Sequence, residues 1–105
     1  RVGGLSNAIA VHDLCEREGV PVWIGGMLES ALGVSICVEL ATLPNFTYPG
    51  DIFPSSRSFK QELADPPIEI TSRNTFLPST GPLPIPDPER LARQTARSKS
   101  VFPPR

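Results

Sequence analysis

The sequence predicts an α/β fold built on parallel strands, and two adjacent apolar segments carry that prediction. Residues 20–24 form a short apolar run rich in β-branched and aromatic side chains, which is typical of a strand buried on both faces. The run ends at Gly25-Gly26, and a second apolar segment, of helical length, extends from about Ser30 to Thr42. A buried strand, a glycine turn and a helix make half of a βαβ unit, the building block of parallel sheets.

The carboxyl end of this strand is the candidate ligand site. In parallel α/β folds, ligands meet the chain at the carboxyl ends of the strands, and glycine there lets the backbone approach a ligand closely. The candidate residues are Gly25, Gly26, Met27 and Leu28. By itself a Gly-Gly pair is a weak signal, because it more often marks only a tight βα turn.

A helix is also predicted before the strand, over residues 8–18, where apolar side chains fall on one broad face. Ser6 or Asn7 is its expected N-cap, and Gly19 is the residue expected just beyond its C-cap. The second helix is apolar nearly all round, which predicts burial on several sides.

Two ionisable residues near these helices have structural interpretations that compete with catalytic ones. His12 is the only histidine, and Asp13 follows it. Adjacent residues of a helix do not face each other, so we expect a partly exposed histidine rather than a catalytic pair. Glu29 precedes the second helix, where a carboxylate favours the positive end of the dipole, so capping is the preferred role.

A second short strand is predicted at Phe46–Tyr48, and Pro49-Gly50 breaks it. Asp51 follows at the carboxyl end of this strand, where a polar side chain can reach a pocket. The same glycine and acid can also form nothing more than a turn, and the residues alone leave both interpretations open.

The remainder of the chain is interrupted by proline. Residues 52–65 suggest a loop and a short helix, and residues 68–70 and 75–77 suggest a β-hairpin. Residues 78–88 predict a semi-extended, proline-rich strap. From Arg90 onward there are five basic residues and no acidic ones, which we interpret as a solvated, disordered tail.

Length and composition limit what the chain can be. Its 105 residues suffice for one ordinary domain but not for a complete eight-stranded α/β barrel, which needs ~250. The net charge of −1 gives no electrostatic reason to expect nucleic acid or an anionic membrane as partner. No apolar run approaches the ~18 residues of a membrane span. Cys15 and Cys37 lie in the predicted helices and are interpreted as core residues of a cytosolic protein. The chain opens at Arg1 in mid-pattern, so we expect it to come from a longer polypeptide.

An ordered set of motifs resembles one family. The motifs are Arg1-Val-Gly-Gly-Leu5, His12-Asp-Leu-Cys15, Gly19-Val-Pro-Val-Trp-Ile-Gly-Gly-Met-Leu-Glu29, Leu43-Pro-Asn-Phe-Thr-Tyr-Pro-Gly-Asp51 and Pro78-Ser-Thr-Gly-Pro82. Together they resemble the o-succinylbenzoate synthase and N-acylamino acid racemase branch of the enolase superfamily, from Arg1 to about Leu91. The resemblance implies the C-terminal part of a (β/α)8 TIM barrel, about strands seven and eight with their helices.

The same resemblance implies a division of the chain into three parts. Residues 1–65 would belong to the barrel, and residues 66–91 would be the hairpin and proline-rich strap returning toward a capping domain. Residues 92–105 would be the basic tail.

The chemistry implied is abstraction of a proton alpha to a carboxylate, with Mg²⁺ stabilising the enediolate. The synthase then loses water, whereas the racemase returns a proton to the opposite face. In the family the metal ligands and catalytic lysines lie on earlier strands, and Lys60 and Lys99 match neither lysine position. The resemblance therefore implies no catalytic residue and no metal ligand in this chain. It implies that the acyl side of the substrate is bound by Gly25, Gly26, Met27, Leu28 and Asp51.

The expected substrate is a small-molecule carboxylate, either the o-succinylbenzoate precursor or an N-acylamino acid. The resemblance also implies a cytoplasmic, homo-oligomeric full-length enzyme with no nucleic-acid or membrane partner. An alternative hypothesis is a catalytically inactive stand-alone fragment that folds only with a partner chain, since two parallel strands leave open edges.

Overall fold

The computed structural model describes residues 2–99. It contains helix α1 (Leu5–Arg17), helix α2 (Ala31–Leu40), a 3-10 turn (Ser55–Arg57) and helix α3 (Pro88–Gln94). Two extended segments, residues 22–25 and residues 46–51, flank α2 in the chain. No helix among residues 2–99 is long and apolar enough to cross a membrane.

The two extended segments lie side by side and run parallel. Val22 pairs with Phe46, and Gly25 pairs with Asp51. The order of segment, helix and parallel segment agrees with the βαβ arrangement predicted from the sequence. The burial on both faces predicted for the first strand is wrong, because Val20 and Trp23 are 51% and 55% exposed.

The pairing is nevertheless limited to isolated bridges, where the sequence predicts two short strands. Two residues lie between the bridges on the first segment and four on the second, so the two backbones fall out of register between the bridges. The extra length contains Pro49, which has no N–H to donate. A continuous ladder therefore cannot form between them.

Helix α1 begins earlier than the sequence predicts. Its N-cap is Gly4, with a φ of 116°, and neither Ser6 nor Asn7 caps it. The Asn7 side chain instead donates to the Val2 carbonyl at 3.0 Å.

The end of α1 matches the prediction. Gly19 adopts a φ of 68°, and its N–H donates to the Glu16 carbonyl at 3.1 Å. The Val20 N–H donates to the Cys15 carbonyl at 2.8 Å, which completes a Schellman motif. Gly19 therefore turns the chain from α1 into the first extended segment.

The core centres on α2, as its apolar sequence predicts. The buried apolar residues are Ala31, Val34, Val38, Leu40 and Ala64. In contrast, much of the apolar face of α1 is exposed, including Ile9, Val11 and Leu14.

The C-terminal part contains a turn and a helix joined by extended chain. The Thr71 N–H donates to the Thr75 carbonyl at 2.8 Å, but no strands flank this turn among the described residues. Proline residues on both sides limit the pairing that a hairpin ladder needs. Residues 78–87 contain neither helix nor strand.

Helix α3 lies where the sequence analysis expects the end of the strap and a disordered tail. Asp87 is its N-cap, and the Asp87 carboxylate accepts a hydrogen bond from the Arg90 N–H at 2.9 Å. Pro88 occupies the first turn, where its missing N–H costs nothing. The expectation of disorder is therefore wrong for residues 90–94, and residues 100–105 lie outside the described part of the chain.

Candidate functional site

The carboxyl ends of the two extended segments meet, as the sequence predicts. The Gly26 N–H donates to the Asp51 carbonyl at 2.7 Å, and the Asp51 N–H donates to the Ile24 carbonyl at 2.9 Å. These bonds place the start of the loop of residues 25–30, which we call the glycine loop, directly beside Asp51. Met27 and Leu28 follow in this loop, and they remain 60% and 70% exposed. The structure thus brings Gly25 and Gly26 against Asp51, and Met27 and Leu28 follow in the same loop.

Close packing explains why glycine occupies the start of this loop. A Cβ at Gly26 would lie 3.1 Å from Glu29 Oε2 and 3.3 Å from the Asp51 carbonyl oxygen. A Cβ at Gly25 would lie 3.0 Å from the Trp23 ring. A side chain at Gly26 would therefore crowd Glu29 and the Asp51 backbone, and a side chain at Gly25 would crowd the Trp23 ring.

Glu29 forms a hydrogen bond within this loop and does not cap α2. Its carboxylate accepts a hydrogen bond from the Met27 N–H, which spans the turn between Gly26 and α2. The N-cap of α2 is Ser30, and the Ser30 side chain makes no capping bond. The capping role predicted for Glu29 is therefore wrong.

Glu62 supplies the cap instead, a contact that the sequence analysis misses. Glu62 Oε2 accepts a hydrogen bond from the Ala31 N–H at 3.0 Å. Glu62 Oε1 and Ser55 Oγ are buried without a hydrogen-bond partner among the described residues. Thirty-one residues separate donor and acceptor, so no local pattern in the sequence indicates the contact.

His12 is buried and hydrogen-bonded to Asp13, which corrects both the partly exposed position and the lack of contact between these two neighbours predicted from the sequence. Only 3% of its surface is exposed, and its ring stacks on Phe46 with the centroids 5.4 Å apart. His12 Nε2 accepts a hydrogen bond from the Asn45 N–H at 3.1 Å. Nδ1 therefore carries the proton and donates to Asp13 Oδ1 at 2.8 Å. These contacts fasten α1 to the second extended segment, away from the glycine loop.

One group of potential metal ligands occurs within residues 2–99, formed by His12, Asp13 and Glu16. Their ligand atoms all lie within 4.8 Å of one another. However, a metal on His12 Nδ1 would displace the proton while Nε2 still accepts from Asn45, which would leave an imidazolate. Mg²⁺ moreover prefers an all-oxygen set. The group does not fit a magnesium site.

An apolar cavity of about 540 Å³ lies between α1, the first extended segment and α2. Of the five candidate residues, only Gly25 lines it. Cys37 also lines this cavity, and burial, followed by the nearby Glu29 carboxylate, raises the pKa of its thiol. The cavity is thus a neighbour of the glycine loop and not the site that the loop and Asp51 form.

Comparison with known proteins identifies similar sequences. A family model described as enolase C-terminal domain-like matches residues 1–82. An N-succinylamino acid racemase of Amycolatopsis sp is 46% identical over 86 residues, covering 82% of this chain and 21% of that protein. The o-succinylbenzoate synthase of Bacillus subtilis (strain 168) is 49% identical over 70 residues, covering 67% of this chain and 19% of that protein. The chain thus spans about a fifth of the length of these curated relatives.

Solved structures show the same likeness. A member of the enolase superfamily from Listeria innocua matches with a TM-score of 0.75 and 31% identity, covering 88% of this chain and 25% of that one. A probable mandelate racemase from Alicyclobacillus acidocaldarius matches with a TM-score of 0.77 and 25% identity, covering 90% of this chain and 25% of that one.

Proposed function

Because this chain belongs to the enolase C-terminal domain-like family, we propose that it forms the acyl-side wall of the substrate pocket in a Mg²⁺-dependent enzyme. The enzyme would abstract the proton alpha to a carboxylate, in o-succinylbenzoate synthesis or in racemisation of N-acylamino acids. One observation carries the proposal: the bond between the Gly26 N–H and the Asp51 carbonyl, 2.7 Å long, which joins two loops at the carboxyl ends of parallel segments. Ligands bind at such ends in α/β barrels.

The relatives support a lyase or a racemase equally. They are named o-succinylbenzoate synthase and N-succinylamino acid racemase, and both groups match at similar identity. Both reactions begin with the same proton abstraction, so the proposal covers the step they share.

This chain's own contribution is to bind and orient the substrate. Met27 and Leu28 present exposed apolar side chains that would pack on the non-reacting acyl portion. Asp51, also exposed, would flank that portion on the neighbouring loop. Such contacts hold the reacting carbon in place, which is how binding distant from the chemistry assists it.

Enolase-superfamily enzymes generally use Mg²⁺, which stabilises the charge that develops on the substrate carboxylate. The acidic and histidine residues described here do not fit that ion, and Lys60 and Lys99 are both exposed. We therefore propose that the metal ligands and the proton-abstracting groups belong to other residues of a longer polypeptide. The whole protein is proposed to be cytoplasmic and homo-oligomeric.

The proposed organisation assigns residues 1–65 to the barrel, 66–91 to the returning strap and 92–105 to the tail. The boundary at residue 91 falls inside α3, which continues to Gln94.

The test is an exchange experiment on the native-length polypeptide that contains this chain. The protein is incubated in D₂O with N-succinylamino acids, with and without Mg²⁺, and loss of the α-proton signal is followed by NMR. Formation of o-succinylbenzoate from its precursor is followed in parallel. We expect exchange or dehydration that depends on Mg²⁺. If the metal-loaded protein shows neither, the proposal fails.

A further inference from the structure

The glycine loop is hydrogen-bonded to other parts of the chain at both ends. At one end the Gly26 N–H donates to the Asp51 carbonyl at 2.7 Å. At the other end the Ala31 N–H donates to Glu62 Oε2 at 3.0 Å. Only residues 27–30 lie between these two points, and a segment this short cannot absorb much movement of either end.

The Glu62 end is built into the core. Ala31 is fully buried, with 0% of its surface exposed, and Glu62 is the hydrogen-bond partner of its N–H. The Glu62 carboxylate also lies at the N-terminus of α2, where the helix dipole favours negative charge. An uncapped and buried N–H is costly, so this contact fixes where the loop enters α2.

Glu62 is itself held in place by the C-terminal part of the chain. Arg90 Nη1 donates to the Glu62 carbonyl at 3.3 Å, and Arg90 Nη2 forms an ion pair with Asp65 at 2.6 Å. The Asp87 N–H donates to the Leu63 carbonyl at 2.7 Å. The start of α3 is therefore bonded to residues 62–65.

We propose that Glu62 is a positioning residue: through the Ala31 N–H it sets the position of residues 27–30, and so the shape of the acyl-side wall. This inference rests on the proposed function of that wall. Glu62 bonds to the first residue of α2, so its effect on substrate is indirect. Because the wall binds the non-reacting portion of the substrate, losing Glu62 raises KM and spares kcat.

The test compares Glu62→Ala with Glu62→Gln in the native-length polypeptide. The glutamine retains an oxygen that can accept the Ala31 N–H, whereas alanine does not. We expect Glu62→Ala to raise KM for an N-succinylamino acid about fivefold, the change that a lost cap of ~1 kcal/mol corresponds to. kcat should stay within about twofold. Glu62→Gln should recover most of the loss, and Glu69→Ala, an exposed acid nearby, should behave as wild type.

A second readout is independent of activity. Peptide-level hydrogen exchange over residues 26–32 should accelerate in Glu62→Ala but not in Glu62→Gln or Glu69→Ala. If the wild-type protein is inactive but this exchange pattern appears, the proposed function fails, whereas the positioning of residues 27–30 by Glu62 is supported. Unchanged KM and unchanged exchange in folded Glu62→Ala would overturn the inference, as would a fall in kcat alone. If the alanine variant does not fold, Glu62→Asp, which shortens the reach, should shift both readouts in the same direction.

Discussion

Adding one methyl group at Gly26 should damage substrate binding far more than adding one at Gly81. In Gly26→Ala the new Cβ would lie 3.1 Å from Glu29 Oε2 and 3.3 Å from the Asp51 carbonyl oxygen. Both separations are tighter than ordinary contacts, so the neighbours must move by a few tenths of an ångström. The Asp51 oxygen belongs to the backbone and accepts the Gly26 N–H, so movement there displaces both loops of the site.

Overpacking of this kind costs roughly 1–3 kcal/mol. If that strain opposes the substrate-bound arrangement of the loop, kcat/KM falls by about 5- to 150-fold, chiefly through KM. Gly26→Val, with its larger side chain, should be worse still. The fold should survive in both variants, because the loop lies at the edge of the chain's core.

Gly81→Ala is the matched control. A Cβ at Gly81 would meet no atom within 4 Å, and the residue is not in the left-handed region. Steady-state kinetics with an N-succinylamino acid, together with thermal unfolding, would compare the two alanine variants in the native-length protein. Equal kinetics in Gly26→Ala and Gly81→Ala would refute the reasoning and leave Gly25-Gly26 as a simple turn.

Two further predictions concern structure away from the loop. His12→Ala should lower the free energy of unfolding by about 1–3 kcal/mol, because the half-buried Asn45 N–H loses its acceptor. Chemical denaturation with Glu16→Ala as an exposed control measures this, and equal midpoints would contradict it. The hydrogen bond from the Arg90 N–H lowers the pKa of the Asp87 carboxyl group in the folded chain. The ionised carboxylate therefore stabilises α3 fully above the ordinary aspartate pKa of about 3.9. This stabilisation is lost as the pH falls through the lower pKa of the folded state. An NMR titration of the Arg90 amide should report the loss on acidification, and an amide shift that does not change with pH would show that the cap does not act this way.

The sequence predicts those parts of the fold that depend on neighbours along the chain. The apolar run before Gly25 and the apolar helix after it correctly indicate a βαβ unit, and Gly19 correctly marks the end of α1. The meeting of Gly25 with Asp51 also follows, because the carboxyl ends of parallel strands share one edge.

Contacts between distant residues are what the sequence does not predict. His12 is buried because Asn45 and Phe46, more than thirty positions later, pack on its ring and satisfy its nitrogen. The Glu62 cap has the same origin, since a glutamate that binds a remote N–H looks like any surface glutamate in the sequence. Neither contact has a local signature.

Helix α3 is also absent from the sequence prediction, but unlike the two distant contacts it has a local signal in the sequence. Asp87-Pro88 combines a favoured N-cap with a proline in the first turn, and Glu89 adds an acid there. The number of prolines nevertheless favours an extended strap over residues 78–88. A proline that starts a helix is distinguished from one in an extended strap by the residues on both sides of it, here Asp87 and Glu89.

The most direct test of the acyl-side wall is a comparison of two substrates in two proteins. N-succinyl and N-acetyl derivatives of one amino acid share the reacting carbon and differ only in the acyl portion. The native-length wild type and a Met27→Ala/Leu28→Ala variant would be compared by α-proton exchange, with Leu77→Ala, 72% exposed elsewhere on the chain, as control. We predict that the preference of wild type and Leu77→Ala for the succinyl substrate largely disappears in the double variant, while exchange itself continues. An undiminished preference would show that residues 27 and 28 do not line the acyl side.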